Sequence, residues 1–382
     1  MHTAILPEPK RERRGGRSFP FFSPDSYWNT PVPAGAATDP ESSCWIGQLA
    51  DAVRRTTGGL HINLHSWTIP VYYADSSTPR VWLHPNLLHC RFSQGHVKTL
   101  EHRLRARDPQ LQFPGLHPCI RDGIPIPECA MPDAESDAHM TIIDVDERIA
   151  YDLWNCHRKT DGAWHTNAAI AYPVDGDGMF SPSDIPGIRN DESVHFYGPC
   201  RASGIPALAG LVLRAELESG CIHHKLALAS PVNGLQRHVC PPAIWTDGWL
   251  PGGIPEGACL QLDPALDLDS LPLTHEARVI ARALQTHGAV LVDNAGSVTL
   301  YGEYAPPGAY AGLVEDALVS IPVGRFRVLD TRANLRSGGS HPVYHHEMAP
   351  LFYEYLGTHG DAALDALAGL ESWRADRSYP AG

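Results

Sequence analysis

A mainly β fold is what the sequence predicts: a β-sandwich or jelly-roll-like core with a few peripheral helices. Three observations carry this. Short runs rich in β-branched and aromatic residues recur along the chain, bounded by turn residues. The 34 glycines and 34 prolines are scattered without a repeat period, as expected where each marks a strand end or turn. Helical patterns are few and do not alternate strictly with strands, which disfavours a doubly wound parallel sheet. With 382 residues, 43% of them hydrophobic, the chain can bury a substantial core. Three parts follow: residues 1–18 as a disordered basic tail, 19–330 as a single β-rich domain, and 331–382 as a C-terminal helical arm packed on it.

The elements are read in order. "KRERRGGR" (Lys10 to Arg17) is a solvated tail. "TDPESSCWIGQLADAVRRTTGG" is an amphipathic helix, with Thr38 or Asp39 as cap, Pro40 in the first turn, and Gly58 and Gly59 as stop. "LHINLHSWTIPVYYAD" reads as strand. Residues from about 83 to 132 lack periodicity and read as an irregular insertion. "HMTIIDV" and "IAYDLWNC" form a hairpin turning at Asp146-Glu147-Arg148, and "WHTNAAIAYPV" is a further strand. A short helix, Arg214 to Ser219, lies between apolar strands, and "ACLQLDP" is another strand. "LTHEARVIARALQTHG" is the best helix, capped by Thr274 and stopped by Gly288. It leads into "AVLVDN" and "VTLYGEY", read as a hairpin through Ala295-Gly296-Ser297. "GLVEDALVSI" and "DAALDALAGLESW" read as short helices.

The formal net charge of -13 repels phosphate backbones, so nucleic acid is excluded as a partner. No apolar window approaches the ~18 residues of a membrane span. The chain as given shows no signal peptide and so predicts a cytoplasmic protein with reduced thiols. A mature fragment would instead be exported, with disulfides open to its 9 cysteines. No C-x-x-C pair suggests zinc.

Four segments, "DAHMTIIDVDERIAYDLWN", "SGIPALAGLVLRAELESGCIHHKLALA", "IPEGACLQLDP" and "HGAVLVDNAG", resemble in that order a family of bacterial, often exported, β-rich proteins to which no activity is attached. The family's Asp-x-His-Met stretch maps onto Asp137, His139 and Met140. Its Ile-x-His-Ala-Leu strand maps onto Ile222 and His224, and its Ala-Asp-Asn-Gly turn onto Asp293 and Asn294. The resemblance implies one continuous domain from about Phe22 to Tyr304, with the insertion outside it. "YPVDGDGM" puts Pro173 where some relatives begin a calcium-type loop, so a plain turn is expected at Asp175 and Asp177.

Several residues suit chemistry. Asp137 and His139 stand two apart before a strand, so in extended backbone they share a face. With His224 and Asp293 they make a candidate acid–base set, in which a carboxylate orients an imidazole. The bland reading is that each histidine is a hydrogen-bonded core residue. A metal alternative places one divalent ion on Asp137, His139 and His224; otherwise no cofactor is implied. Acids beside aromatics suit a sugar site, where rings stack while one acid protonates the leaving oxygen. Asp144 and Glu303 join the catalytic candidates on this ground. Arg201, Trp245, Asp247, Trp249, Asn294 and Tyr301 join the substrate-binding ones. Arg201 with a tyrosine and a histidine equally suits β-elimination from a uronic acid.

The expected function is cleavage of glycosidic bonds in a carbohydrate substrate, by a glycoside hydrolase or a polysaccharide lyase. The alternatives are a non-catalytic glycan-binding β-sandwich and a metal-dependent hydrolase or oxygenase. "HINLH" reads as strand and lacks the Glu of a zincin, "CRASGIP" lacks the flanking glycine of a nucleophile elbow, and "YHHEM" lies outside the resemblance and reads as surface.

Overall fold

The computed structural model describes residues 21–85, 123–166, 168–180, 201–234, 238–248, 250–310, 312–332, 336–337 and 339–340. The basic tail, most of the insertion and nearly all of the C-terminal arm lie outside these residues. The fold is mainly β, with 27% strand against 16% helix. No described helix is long and apolar enough to cross a membrane. The six described cysteines are free thiols.

Ten strands build the two main sheets: β1 (His61–Asn63), β2 (Val71–Ala74), β3 (Met140–Asp144), β4 (Ile149–Trp154), β5 (Ala168–Pro173), β6 (Leu226–Ser230), β7 (Cys259–Leu262), β8 (Ala289–Asn294), β9 (Thr299–Tyr301) and β10 (Phe326–Val328). The larger sheet runs β1-β9-β6-β8-β7-β10 and the smaller β5-β4-β3-β2. Both are mixed: β1/β9, β6/β8 and β2/β3 are parallel, and the other pairs are antiparallel.

Strand parity assigns the faces. Leu226 and Leu228 of β6, with Ala289 and Leu291 of β8, join the core under the helices α1 (Ser42–Arg55) and α3 (His275–Thr286). Ala227 and Ala229, with Val290 and Val292, look the other way and meet Val71, Ile143, Ala150 and Ile170 of the smaller sheet. Alanines on that face of β6 let the two sheets approach. The far side of the smaller sheet buries Tyr72, Met140, Ile142, Tyr151 and Leu153 against Leu83, Ile124 and Trp164.

Local chemistry explains the ends. Thr274 caps α3 by accepting from the Ala277 N–H at 3.2 Å, and Gly288 (φ 80°) follows its end. The third helix, α2 (Arg214–Ser219), stands where it was expected and closes on Gly220 in the left-handed region. The β3–β4 hairpin turns through Arg148 at φ 57°.

Four expectations need correction. The first helix begins at Ser42, because Asp39 accepts from the Glu41 N–H and also from Thr331, which holds it outside the helix. The "LHINLHSWTIPVYYAD" stretch is two strands in different sheets, with a loop between them. β8 and β9 do not form a hairpin: β6 inserts between them and pairs with both. Residues 314–320 form turns, not a helix.

Two substitutions test this packing. Leu291→Ala, in the centre of the larger sheet, is expected to cost about 2–5 kcal/mol in urea denaturation. Thr274→Ala should cost only about 1 kcal/mol, the worth of one cap.

Candidate functional site

A single guanidinium organises the polar interior between the sheets. Arg201 is 1% exposed. Its Nη2 donates to the Ala207 carbonyl at 2.9 Å and its Nε to Pro206 at 3.4 Å. The Tyr301 ring lies 4.3 Å from the guanidinium carbon, a cation–π contact in a desolvated setting. Its Nη1 has no hydrogen-bond partner.

Carboxyl groups from both sheets surround it. Asp152, in the middle of β4, accepts from Thr141 Oγ1 at 2.7 Å, Tyr172 OH at 3.0 Å and the Ala207 N–H at 2.6 Å. Burial pushes its carboxyl up to about 6, against the pull of these donors and of Arg201. Asp293 ends β8. Burial and the neighbouring Asp247 and Asp137 hold its carboxyl well above the usual range, with Arg201 opposing. Tyr301 OH stands 3.5 Å from Asp293 Oδ2. Burial, then the Asp293 charge, raises the Tyr301 phenol as well.

A second acid pair backs this one. Glu256 is fully buried beside Asp247. Burial and that neighbour push the Glu256 carboxyl well up, and burial raises Asp247 as well. Asn233 Nδ2 bridges Glu256 Oε1 and the Asp293 carbonyl, each at 2.7 Å, and Ser230 Oγ fixes Asn233 at 2.6 Å. Gly257 (φ 84°) permits this placement, because a Cβ there would overlap the Cys240 carbonyl oxygen at 1.6 Å. Asp137, Asp247, Asp293 and Asn294 form the half-buried rim of the cluster.

Asp137 and His139 do join this cluster, but not by strand alternation. Ala138 between them sits at φ 41°, a left-handed conformation that costs an L-residue energy. Strand β3 starts only at Met140. His139 is buried, and burial together with Arg201 lowers its imidazole to about 4, despite Asp137. It is therefore neutral at pH 7, and its Nδ1 has no partner. Asp137 accepts a long bond from the Trp154 indole at 3.4 Å.

His224 stays apart. It precedes β6, whose Leu226 end pairs with Ala289, while Asp293 lies beside the Ala229–Ser230 end. At ~3.3 Å per residue that separates them by roughly 20 Å. His224 Nε2 instead meets Glu216 Oε2 at 3.0 Å, and Nδ1 meets the Lys225 carbonyl at 2.8 Å. The three-ligand set Asp137–His139–His224 is therefore not assembled. Among the described residues no group of three His, Cys, Asp or Glu is placed to hold a metal ion.

Two acids take structural roles. Asp144 accepts from the Asp146 and Glu147 N–H groups and shapes the hairpin turn. Glu303 accepts from the Arg214 N–H at the start of α2. Asn294 is in the cluster, its Oδ1 unpartnered. The Trp245 side chain and Trp249 lie outside the described residues.

Sequence reading missed Glu256, Asn233 and Asp152. An acid within apolar "IPEGACL" and another within "AYDLW" were the available signals. No protein-family model, curated protein or solved structure matches this chain.

The two histidines give opposite signatures. His139 is depressed in the folded state, so its contribution to stability is present above the unfolded value near 6.5 and is lost as pH falls towards 4. His287, lowered to about 4 by burial and Lys225, adds to the same slope. His139→Gln should flatten part of the acid-side fall in Tm, and His287→Gln another part. For His224 burial alone would lower the imidazole, but Glu216 and the Lys225 carbonyl outweigh it and raise it. Its contribution is present below about 6.5 and is lost as pH rises through the folded value. His224→Ala should accordingly lower Tm at pH 6 more than at pH 9.

Proposed function

We propose that this chain is an enzyme that cleaves glycosidic bonds of a poly- or oligosaccharide by acid–base catalysis at the Arg201 cluster, with hydrolysis as its reaction. The observation that carries this reading is Asp293. It is a half-buried carboxyl that burial, Asp247 and Asp137 hold well above the usual carboxylate range against the pull of Arg201, within reach of Tyr301 OH. A carboxyl shifted upward in this direction is the kind that protonates a leaving glycosidic oxygen. In this reading Asp137 is the carboxylate that supports an oxocarbenium-like centre. Tyr301 OH is the donor for a substrate oxygen. In this step the C–O bond breaks, Asp293 gives its proton to the departing oxygen, and water adds to the anomeric carbon. Water's second proton restores Asp293.

A second reading is favoured by one observation. A partnerless guanidinium nitrogen lies close to a neutral histidine whose Nδ1 is free. That pair suits β-elimination from a uronate, with Arg201 on the sugar carboxylate and His139 taking the proton. The Asp152 and Asp293 carboxyls beside the guanidinium weigh against an anionic sugar, which puts hydrolysis first in this reading.

A panel of polysaccharides assayed for new reducing ends, and for the ultraviolet absorbance of an unsaturated uronate, separates the two. Reducing ends without that absorbance support hydrolysis; both together mean a lyase; neither leaves a glycan binder. Asp293→Asn is expected to lower turnover by ~10²–10⁴-fold with Tm unchanged or raised, since Asn reproduces the neutral acid. His224→Ala and Glu303→Gln should retain turnover. Loss of turnover in His224→Ala without unfolding would remove the Arg201 cluster as the sole seat of catalysis.

A further inference from the structure

The loop between β1 and β2 does something no packing requirement explains. Trp67 sits at φ 53°, in the left-handed region that a bulky L-residue seldom adopts, and its side chain is 45% exposed. Strain of this kind persists only where the surroundings impose it. Here they do so from every side. The Trp67 N–H donates to Asp133 Oδ2 at 3.1 Å, and its carbonyl accepts from Asn63 Nδ2 at 2.9 Å. Thr68, fully buried, donates its hydroxyl to the Gly302 carbonyl. Tyr304 N–H bonds Ile69 at 3.1 Å.

These clamps tie the loop to both elements that carry the site. Asp133 N–H donates to the His139 carbonyl at 2.8 Å, so the residue that fixes Trp67 also fixes the backbone of His139. Gly302, the acceptor for Thr68, directly follows Tyr301. A strained, clamped backbone whose product is a displayed indole, hydrogen-bonded into the Tyr301 and His139 segments, has the build of a ligand platform.

We infer that Trp67 is a stacking platform for a neutral pyranose ring of the glycan, forming an outer subsite continuous with the Arg201 cluster. This rests on the glycan reading above and narrows it to uncharged polymers. An indole face matches the C–H face of a pyranose. The half-buried acids on the adjoining loop, Glu135 and Asp137, accept from sugar hydroxyls and repel a uronate or a phosphate.

The test uses the full chain carrying Asp293→Asn, run on native gels cast with mixed-linkage β-glucan, xylan, glucomannan or polygalacturonate. Trp67→Phe keeps an aromatic face and Trp67→Gly removes it. Glycine also adopts φ 53° without strain, so Trp67→Gly should hold or raise Tm, which separates loss of binding from loss of fold. The expected result is retardation by at least one neutral polysaccharide, kept in Trp67→Phe and weakened roughly fivefold to tenfold in Trp67→Gly. Equal retardation in Trp67→Gly overturns the platform, and so does a parent protein that no neutral polysaccharide slows. Cleavage of a polymer that Trp67→Gly leaves unchanged overturns the platform while the enzyme reading stands. Retardation that Trp67→Gly abolishes, without cleavage of any polymer by the unsubstituted chain, supports the platform and sinks the enzyme reading.

Discussion

The buried charge of Arg201 is the constraint on which the rest of the polar interior depends. A guanidinium taken out of water is tolerated only with acceptors and counter-charge around it. The Pro206 and Ala207 carbonyls, the Tyr301 face, Asp152 and Asp293 supply these. Asp152 comes from the smaller sheet, and Asp293 and Tyr301 from the larger one. One side chain thus obliges both sheets to present polar groups to the same volume, inside an interface that is otherwise largely apolar. Asp152 does double service: it offsets the charge and anchors the Ala207 N–H, whose carbonyl in turn receives Arg201.

That volume holds more acid than base. Burial raises the carboxyls of Asp152, Asp247, Asp293 and Glu256 above the usual range. The structure divides them by position. Glu256 stands beside Asp247 at the back and is bridged through Asn233 to the Asp293 backbone. Asp293 and Asp137 occupy the half-buried rim. A rigid acid pair behind a rim acid is a way of holding the latter in place without using side-chain atoms that face the opening.

Backbone strain marks the same region. Ala138 and Trp67 are both non-glycine residues with positive φ, and Asp133 links their segments through the Trp67 N–H and the His139 carbonyl. Sites that fix side chains to a tolerance relaxed backbone would not give are where such conformers collect. The His224–Glu216 contact lies at the other end of the β6–β8 pair. It ties α2 to the chain entering β6, a packing role.

How much was legible in the sequence follows from the range of the forces involved. Period-2 runs, caps and turn residues act over a few positions, so they marked β3, β4, β6, β8, α2 and α3 and the mainly β class. The resemblance singled out Asp137, His139, Asp293 and Asn294, and residue chemistry beside aromatics singled out Arg201, Asp247 and Tyr301, which the structure brings into one cluster. What none of these could fix was pairing between distant segments. Two adjacent strands with a good turn read as a hairpin, yet β6 enters between β8 and β9, because its small alanines fill the face that meets the smaller sheet. His224 and His139 read as partners by residue type, yet parallel register sets them at opposite ends of a strand. Asp152 and Glu256 looked like isolated acids in apolar runs until tertiary contact supplied their donors. Sequence determined which side chains are of a type suited to chemistry, since that is a property of residue identity. Only tertiary structure decided which of them meet, since burial and register are properties of the whole chain.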